Sequence, residues 1–196
     1  MKKFELTAEF VTNAFGKKLF RIKALVAFGD VEKGELGGFI EKEGNLSNDG
    51  NAWVSGNARV SGDARVSGDA WVSGDAQVSG DAQVYGDAWV SGDAWVSGDA
   101  QVYGNARVYG NAQVSGNADY AVVTGFGRYF RATTFFRCKD KILRVQCGCF
   151  HGDLAQFREI VKKTHGDSKY AKEYLAIADL MELHFSDEEE NQEADE

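Results

Sequence analysis

The chain has 196 residues, three cysteines and a formal net charge of −8. That length suits one ordinary domain, or one elongated domain with small caps. No run approaches the ~18 consecutive apolar residues of a membrane-spanning helix, and Met1-Lys2-Lys3 leads into no apolar leader, so a cytoplasmic compartment and no membrane partner are expected.

Residues 1–45 mix short apolar runs, such as Leu19 to Leu25, with glycine turns, and predict a β-rich N-terminal cap. Residues 46–120 are governed by a six-residue period. Valine recurs at Val54, Val60, Val66, Val72, Val78, Val84, Val90, Val96, Val102, Val108 and Val114, each with an alanine two residues earlier. The unit reads G-[D/N]-A-x-V-[S/Y]. Its A-x-V-[S/Y] half alternates inward and outward, as a strand with one buried face does. Its Gly-Asp or Gly-Asn half is a corner, where glycine reaches positive φ and Asp or Asn bonds nearby amides. Six is even, so every unit turns the same side chains inward. A helix of 3.6 residues per turn cannot do this.

Residues 121–186 predict an α+β module. A hairpin is expected from Thr133 to Cys138 and Ile142 to Phe150. A first helix follows, capped by Asp153 with Gln156, lined by Leu154, Phe157, Ile160 and Val161, and ended by Gly166. A second helix is expected from Ser168 to Phe185, with Tyr170, Tyr174, Leu175, Ile177, Ala178 and Met181 inward. Cys138, Cys147 and Cys149 read as apolar core residues rather than a disulfide framework or a zinc site, with Cys147 and Cys149 on one strand face. Residues 187–196 carry seven acidic and no basic side chains, and predict a solvated, disordered tail.

The repeat resembles the hexapeptide-repeat, left-handed β-helix family, whose coils have three such strands and an aliphatic residue inward in each hexapeptide. The flanks, with Gly37-Gly38-Phe39-Ile40-Glu41 and Asn45-Leu46-Ser47, resemble hexapeptide-repeat proteins of bacteria and their phages. The resemblance implies a mainly β fold, a left-handed parallel β-helix with three-strand coils, and commonly a trimer. Handedness comes from the resemblance and not from the spacing.

With three hexapeptides per coil, residues eighteen apart stack. Trp53, Trp71 and Trp89 then share a column with Arg107, beside Tyr109. A second column holds Arg59, Gln77, Trp95 and Gln113. A third holds Arg65, Gln83, Gln101 and Asp119, beside Tyr85 and Tyr103. An outward tryptophan ladder is an apolar patch of the kind that marks an interaction surface, although stacked aromatics also stabilise a sheet by packing alone. The candidate interaction residues are therefore Trp53, Trp71, Trp89, Arg107, Trp95, Tyr85, Tyr103 and Tyr109. Self-association comes first among the functions, then a partner protein, then a platform for nucleobases or sugars.

Family members that are acyltransferases use a histidine as general base. Here no histidine precedes His151, and His165 and His184 lie further on, so no catalytic residue is assigned. Each corner supplies one carboxylate, too few for calcium, which takes 6–8 oxygens. No cofactor or metal is expected. No basic stripe points to direct nucleic-acid binding. The expected function is a non-catalytic scaffold. A phage-type anti-defence protein or decoy, binding a host protein or nucleotide, is the alternative, and a hexapeptide acyltransferase is a further one.

Overall fold

A computed structural model describes residues 2–186. The acidic run Asp187 to Glu196, expected to be disordered, lies outside the described residues. Eleven two-residue strands, from Trp53–Val54 to Gln113–Val114, form a β-solenoid of about four turns. Each of the first eight pairs in parallel with the strand eighteen residues on, so successive strands fall in turn on three sheets. All eleven valines are fully buried, and the alanines between them are at most 1% exposed. The corner glycines from Gly56 to Gly110 sit at φ +61° to +74°. A Cβ on Gly74 would come within 3.0 Å of the Gly92 backbone nitrogen in the next coil, so positive φ favours glycine at every corner and space favours it as well where a further coil follows.

The N-terminal cap is continuous with the solenoid. Phe4–Thr12 and Lys18–Ala24 form an antiparallel hairpin. Leu36–Ile40 pairs antiparallel with Lys18–Ala24 on one side and parallel with Arg59–Val60 on the other. Phe4, Ile22, Ala24, Val31, Ile40 and Leu46 enter the same core as the valines. Gly37 and Gly38 permit the close approach. A Cβ on Gly37 would lie 2.5 Å from the Val54 carbonyl oxygen, and one on Gly38 would lie 2.6 Å from that of Ala58.

At the other end the expected hairpin forms as Thr133–Arg137 and Leu143–Cys147. It is flanked by Tyr120–Val123 and Phe150–Asp153 in a four-stranded antiparallel sheet. This sheet has two faces. Tyr120, Phe136 and Cys138 close the solenoid core. Phe135 and Val145 pack on helices α1 (Leu154–His165) and α2 (Lys169–Phe185) in a second core. The reciprocal Asp153–Gln156 cap and the Gly166 stop stand as the sequence implied, and α2 begins beside the expected Ser168, whose side chain caps it by accepting from Ala171 N.

Three details differ from expectation. Ile160 and Tyr170 are exposed at 37% and 38%, because the cores beneath α1 and α2 are narrower than the apolar stripes. Cys149 is exposed, since the strand ends at Cys147 and Gly148-Cys149 form the turn. Asp119 does not continue its column. It lies in a 3-10 turn, Asn117–Asp119, that leaves the solenoid.

Candidate functional site

The columns follow the eighteen-residue spacing. Trp53 pairs with Trp71, Trp71 with Trp89, and Trp89 with Arg107. Each stacked tryptophan leans back across one rung to a serine of the preceding coil. Trp71 Nε1 donates to Ser55 Oγ at 3.1 Å, Trp89 Nε1 to Ser73 Oγ at 3.4 Å and Trp95 Nε1 to Ser79 Oγ at 3.4 Å. The polar residue after each valine thus serves the indole sixteen residues later. A half-buried tryptophan needs such a partner for its N–H.

Trp53 departs from the reading of the whole column as a surface. It is fully buried. Phe28 of the N-terminal cap covers it edge-on, with ring centroids 5.4 Å apart. No earlier coil exists to offer a serine, and Trp53 Nε1 has no hydrogen-bond partner. The covering Phe28 is distant in sequence, which is why periodicity alone set Trp53 outward. Trp53 is a core residue, and the surface begins at Trp71.

Trp71 is half-buried and Trp89 is 39% exposed. They share a cleft of about 470 Å³ with Asp30, Glu35, Asp69 and Asp87. Asp30 and Glu35 come from the cap, whereas Asp69 and Asp87 are corners of the solenoid. At the next rung the Arg107 guanidinium lies over the Trp89 ring, 5.2 Å from its centroid, and Arg107 Nη1 donates to Tyr109 Oη at 3.1 Å. Tyr109 meets Trp89 edge-on at 6.4 Å. The structure therefore brings Trp71, Trp89, Arg107 and Tyr109 together on one face. Trp95 stands apart on another sheet, 46% exposed.

Tyr85 and Tyr103 form a separate site on the third sheet. Their rings stack at 5.4 Å, with Tyr120 edge-on to Tyr103 at 6.4 Å. They line a groove of about 870 Å³ with Gln101, Asn105 and Asn117. Tyr120 Oη donates to the Gln101 carbonyl. Burial, with Tyr103 adding to it, pushes the Tyr120 phenol up, so it remains a donor.

The histidines are separate. His151 stacks on Phe136, and burial, with Arg144 adding to it, holds its imidazole below the ordinary value. His165 ends α1 and lies 5.8 Å from Tyr174. Among the described residues no group of three His, Cys, Asp or Glu side chains is placed to hold a metal ion. No described helix is long and apolar enough to cross a membrane.

The repeat matches the YdcK β-solenoid repeat at residues 52–68, 58–74, 64–80, 76–92, 82–98 and 100–116. No curated protein matches the chain. The matched family is a β-solenoid repeat, and the match lies within the regular coils and excludes both caps.

Proposed function

We propose that the chain is a non-catalytic interaction scaffold that associates through the face formed by Trp71, Trp89, Arg107 and Tyr109. The observation that carries this reading is the cleft at Trp71 and Trp89. Aromatic rings left partly open beside charged groups resemble the centre and rim of an interface. Trp95 has the same indole–serine bond but stands on another sheet and does not line this cleft, which makes it the natural control. We further infer the left-handed, three-strand coil that the hexapeptide resemblance implies. The acyltransferase reading receives no support from the histidines, which lie apart in the C-terminal module.

The test compares Trp71→Gln with Trp95→Gln in sedimentation and in capture of partners from a host lysate. The proposal expects Trp71→Gln to weaken assembly or capture about tenfold or more, because truncating an interface tryptophan costs ~2 kcal/mol. Trp95→Gln should leave both unchanged. If Trp71→Gln lowers only the melting temperature, the column is sheet packing and the reading fails.

A further inference from the structure

The Trp71–Arg107 face is electrically divided along its length. Its N-terminal half carries Asp30, Glu35, Asp69 and Asp87 around the two tryptophans. None of these four carboxylates makes a direct ion pair among the described residues, although Asp69 accepts from Asn51 and lies in the field of Lys3. The C-terminal half carries Arg107 and, beside it in one depression, Arg131 with Tyr129 and Phe130. Both arginines are exposed, and their guanidinium groups lie on aromatic rings, Arg107 on Trp89 and Arg131 on Tyr129 at 5.0 Å. Tyr129 and Phe130 are 63% and 70% exposed. The corner column shows the same division, reading Asp69, Asp87, then Asn105.

We propose that this face pairs with the same face of a second copy of the chain, antiparallel across a two-fold axis. This rests on the reading of the face as an interaction surface and names its occupant. A two-fold interface must be self-complementary, because each patch meets itself in reverse. A strip that is acidic and aromatic at one end, and basic and aromatic at the other, meets that condition only when antiparallel. Parallel association would set carboxylate against carboxylate. A purely basic partner would suit the acidic half but leave Arg107 and Arg131 facing like charge. Arginine suits the cleft chemically, since a planar guanidinium can stack on indole and bond carboxylates together. Arg107 on Trp89 shows half of that contact within one chain.

The experiment is sedimentation equilibrium on the full chain and on two charge-reversed variants. One is Asp30→Lys with Glu35→Lys and Asp87→Lys, which leaves Asp69 and makes the acidic half net basic, and the other is Arg107→Glu with Arg131→Glu. The parent should be a dimer at low salt and dissociate towards monomer in ~1 M salt, where the screening length falls to ~3 Å. Each variant alone should be monomeric, and an equimolar mixture should dimerise again, because every reversed half then meets a reversed partner half. A parent that is monomeric or trimeric at low salt overturns the proposal. So do variants that remain dimeric, and so does a mixture that stays monomeric. If the variants remain dimeric while Trp71→Gln separates the copies, the interaction face stands and the antiparallel charge pairing falls. Circular dichroism verifies the fold of each variant. Should either multiple variant fail to fold, the salt response of the parent and the single exchanges Asp30→Lys and Arg131→Glu decide the same question.

Discussion

The two ends of the solenoid are closed by groups of opposite hydrogen-bonding sense. Outside the paired strand residues, the bonds joining successive coils run one way. Trp53 N donates to Ala70 O at 3.0 Å, Ser55 N to Val72 O at 2.8 Å and Asn57 N to Gly74 O at 2.9 Å, and the later coils repeat this. The first coil is therefore left with carbonyls and the last with amides. At the N-terminal end the caps bring mainly donors, with one acceptor, Glu41 Oε2, taking Gly62 N at 2.7 Å. Lys3 Nζ reaches Ala52 O at 2.9 Å and Gly50 O at 3.3 Å, Asn45 Nδ2 reaches Ala64 O at 2.8 Å and Gly62 O at 3.1 Å, and Phe39 N reaches Ala58 O at 2.9 Å. At the C-terminal end they bring acceptors. Thr134 Oγ1 takes Arg107 N at 3.0 Å, Asn117 Oδ1 takes Gln101 N at 2.9 Å and Asp119 Oδ2 takes Ser115 N at 2.8 Å. Two carbonyls at that end, of Gln101 and Asn111, are met instead by Tyr120 and the Lys139 amide. A buried backbone group without a partner costs free energy, so the sense of the coil-to-coil bonds dictates which side chains can cap which end.

The largest expected effect lies between the caps. Val84→Asp places a carboxylate in a fully buried core of valine and alanine that neither end can relieve. A loss of several kcal/mol, about 3–5, is expected in urea unfolding, against near silence for outward Ser79→Asp. Equal midpoints for the two would break the assignment of a dry core.

A smaller pair of exchanges tests the asymmetry itself. Asn45→Asp keeps the shape but turns two donated bonds into oxygen facing oxygen, and should cost roughly 2–3 kcal/mol. Asn117→Asp keeps the acceptor that Gln101 N uses and should change stability by less than about 0.5 kcal/mol. Equal losses at both ends would show that the bond sense does not govern capping.

The smallest effect is a pH response at Lys3. Burial lowers its amine to about 8, while Asp49 and Asp69 pull the other way. Below pH 8 both folded and unfolded chains hold the proton, and the cost of the buried charge is fully present. Between about 8 and the ordinary lysine value near 10.5 the folded chain releases it first, so stability should rise with pH. The melting temperature of the parent relative to Lys3→Met, followed from pH 7.5 to 9.5, should climb. A flat or falling difference would sink the claim.

Much of this architecture was legible in the sequence because its causes are local and repeated. The Ala-x-Val period placed all eleven buried valines of the solenoid and every column partner up to Arg107. The Asp153–Gln156 cap placed the first helix and the apolar stripe placed the second, each within a residue. What stayed hidden depends on contacts far apart in the chain. Phe28 burying Trp53 comes from a loop without a period. Phe135 and Phe136 are neighbours in sequence, yet they serve two different cores, which alternation alone cannot foretell when both strand faces are covered. The cleft at Trp71 and Trp89 needs Asp30 and Glu35 from the cap, so the ladder was readable but its acidic wall was not. Ile160 and Tyr170 match the helical stripe, but they lie at its edge and stay more than a third exposed.

Because each coil touches only its neighbours and each cap reads only the bond sense beside it, the solenoid behaves as a geared spacer. Removing eighteen residues, such as Asp75 to Gly92, would return every strand to its own sheet and bring the C-terminal module about 4.8 Å nearer the N-terminal cap. Removing six would instead index that module onto the next sheet. The Tyr129–Arg131 loop would then no longer line up with Trp71 and Trp89, although every valine would remain in place. Distance and orientation between the two ends are thus set by separate integers of the same repeat.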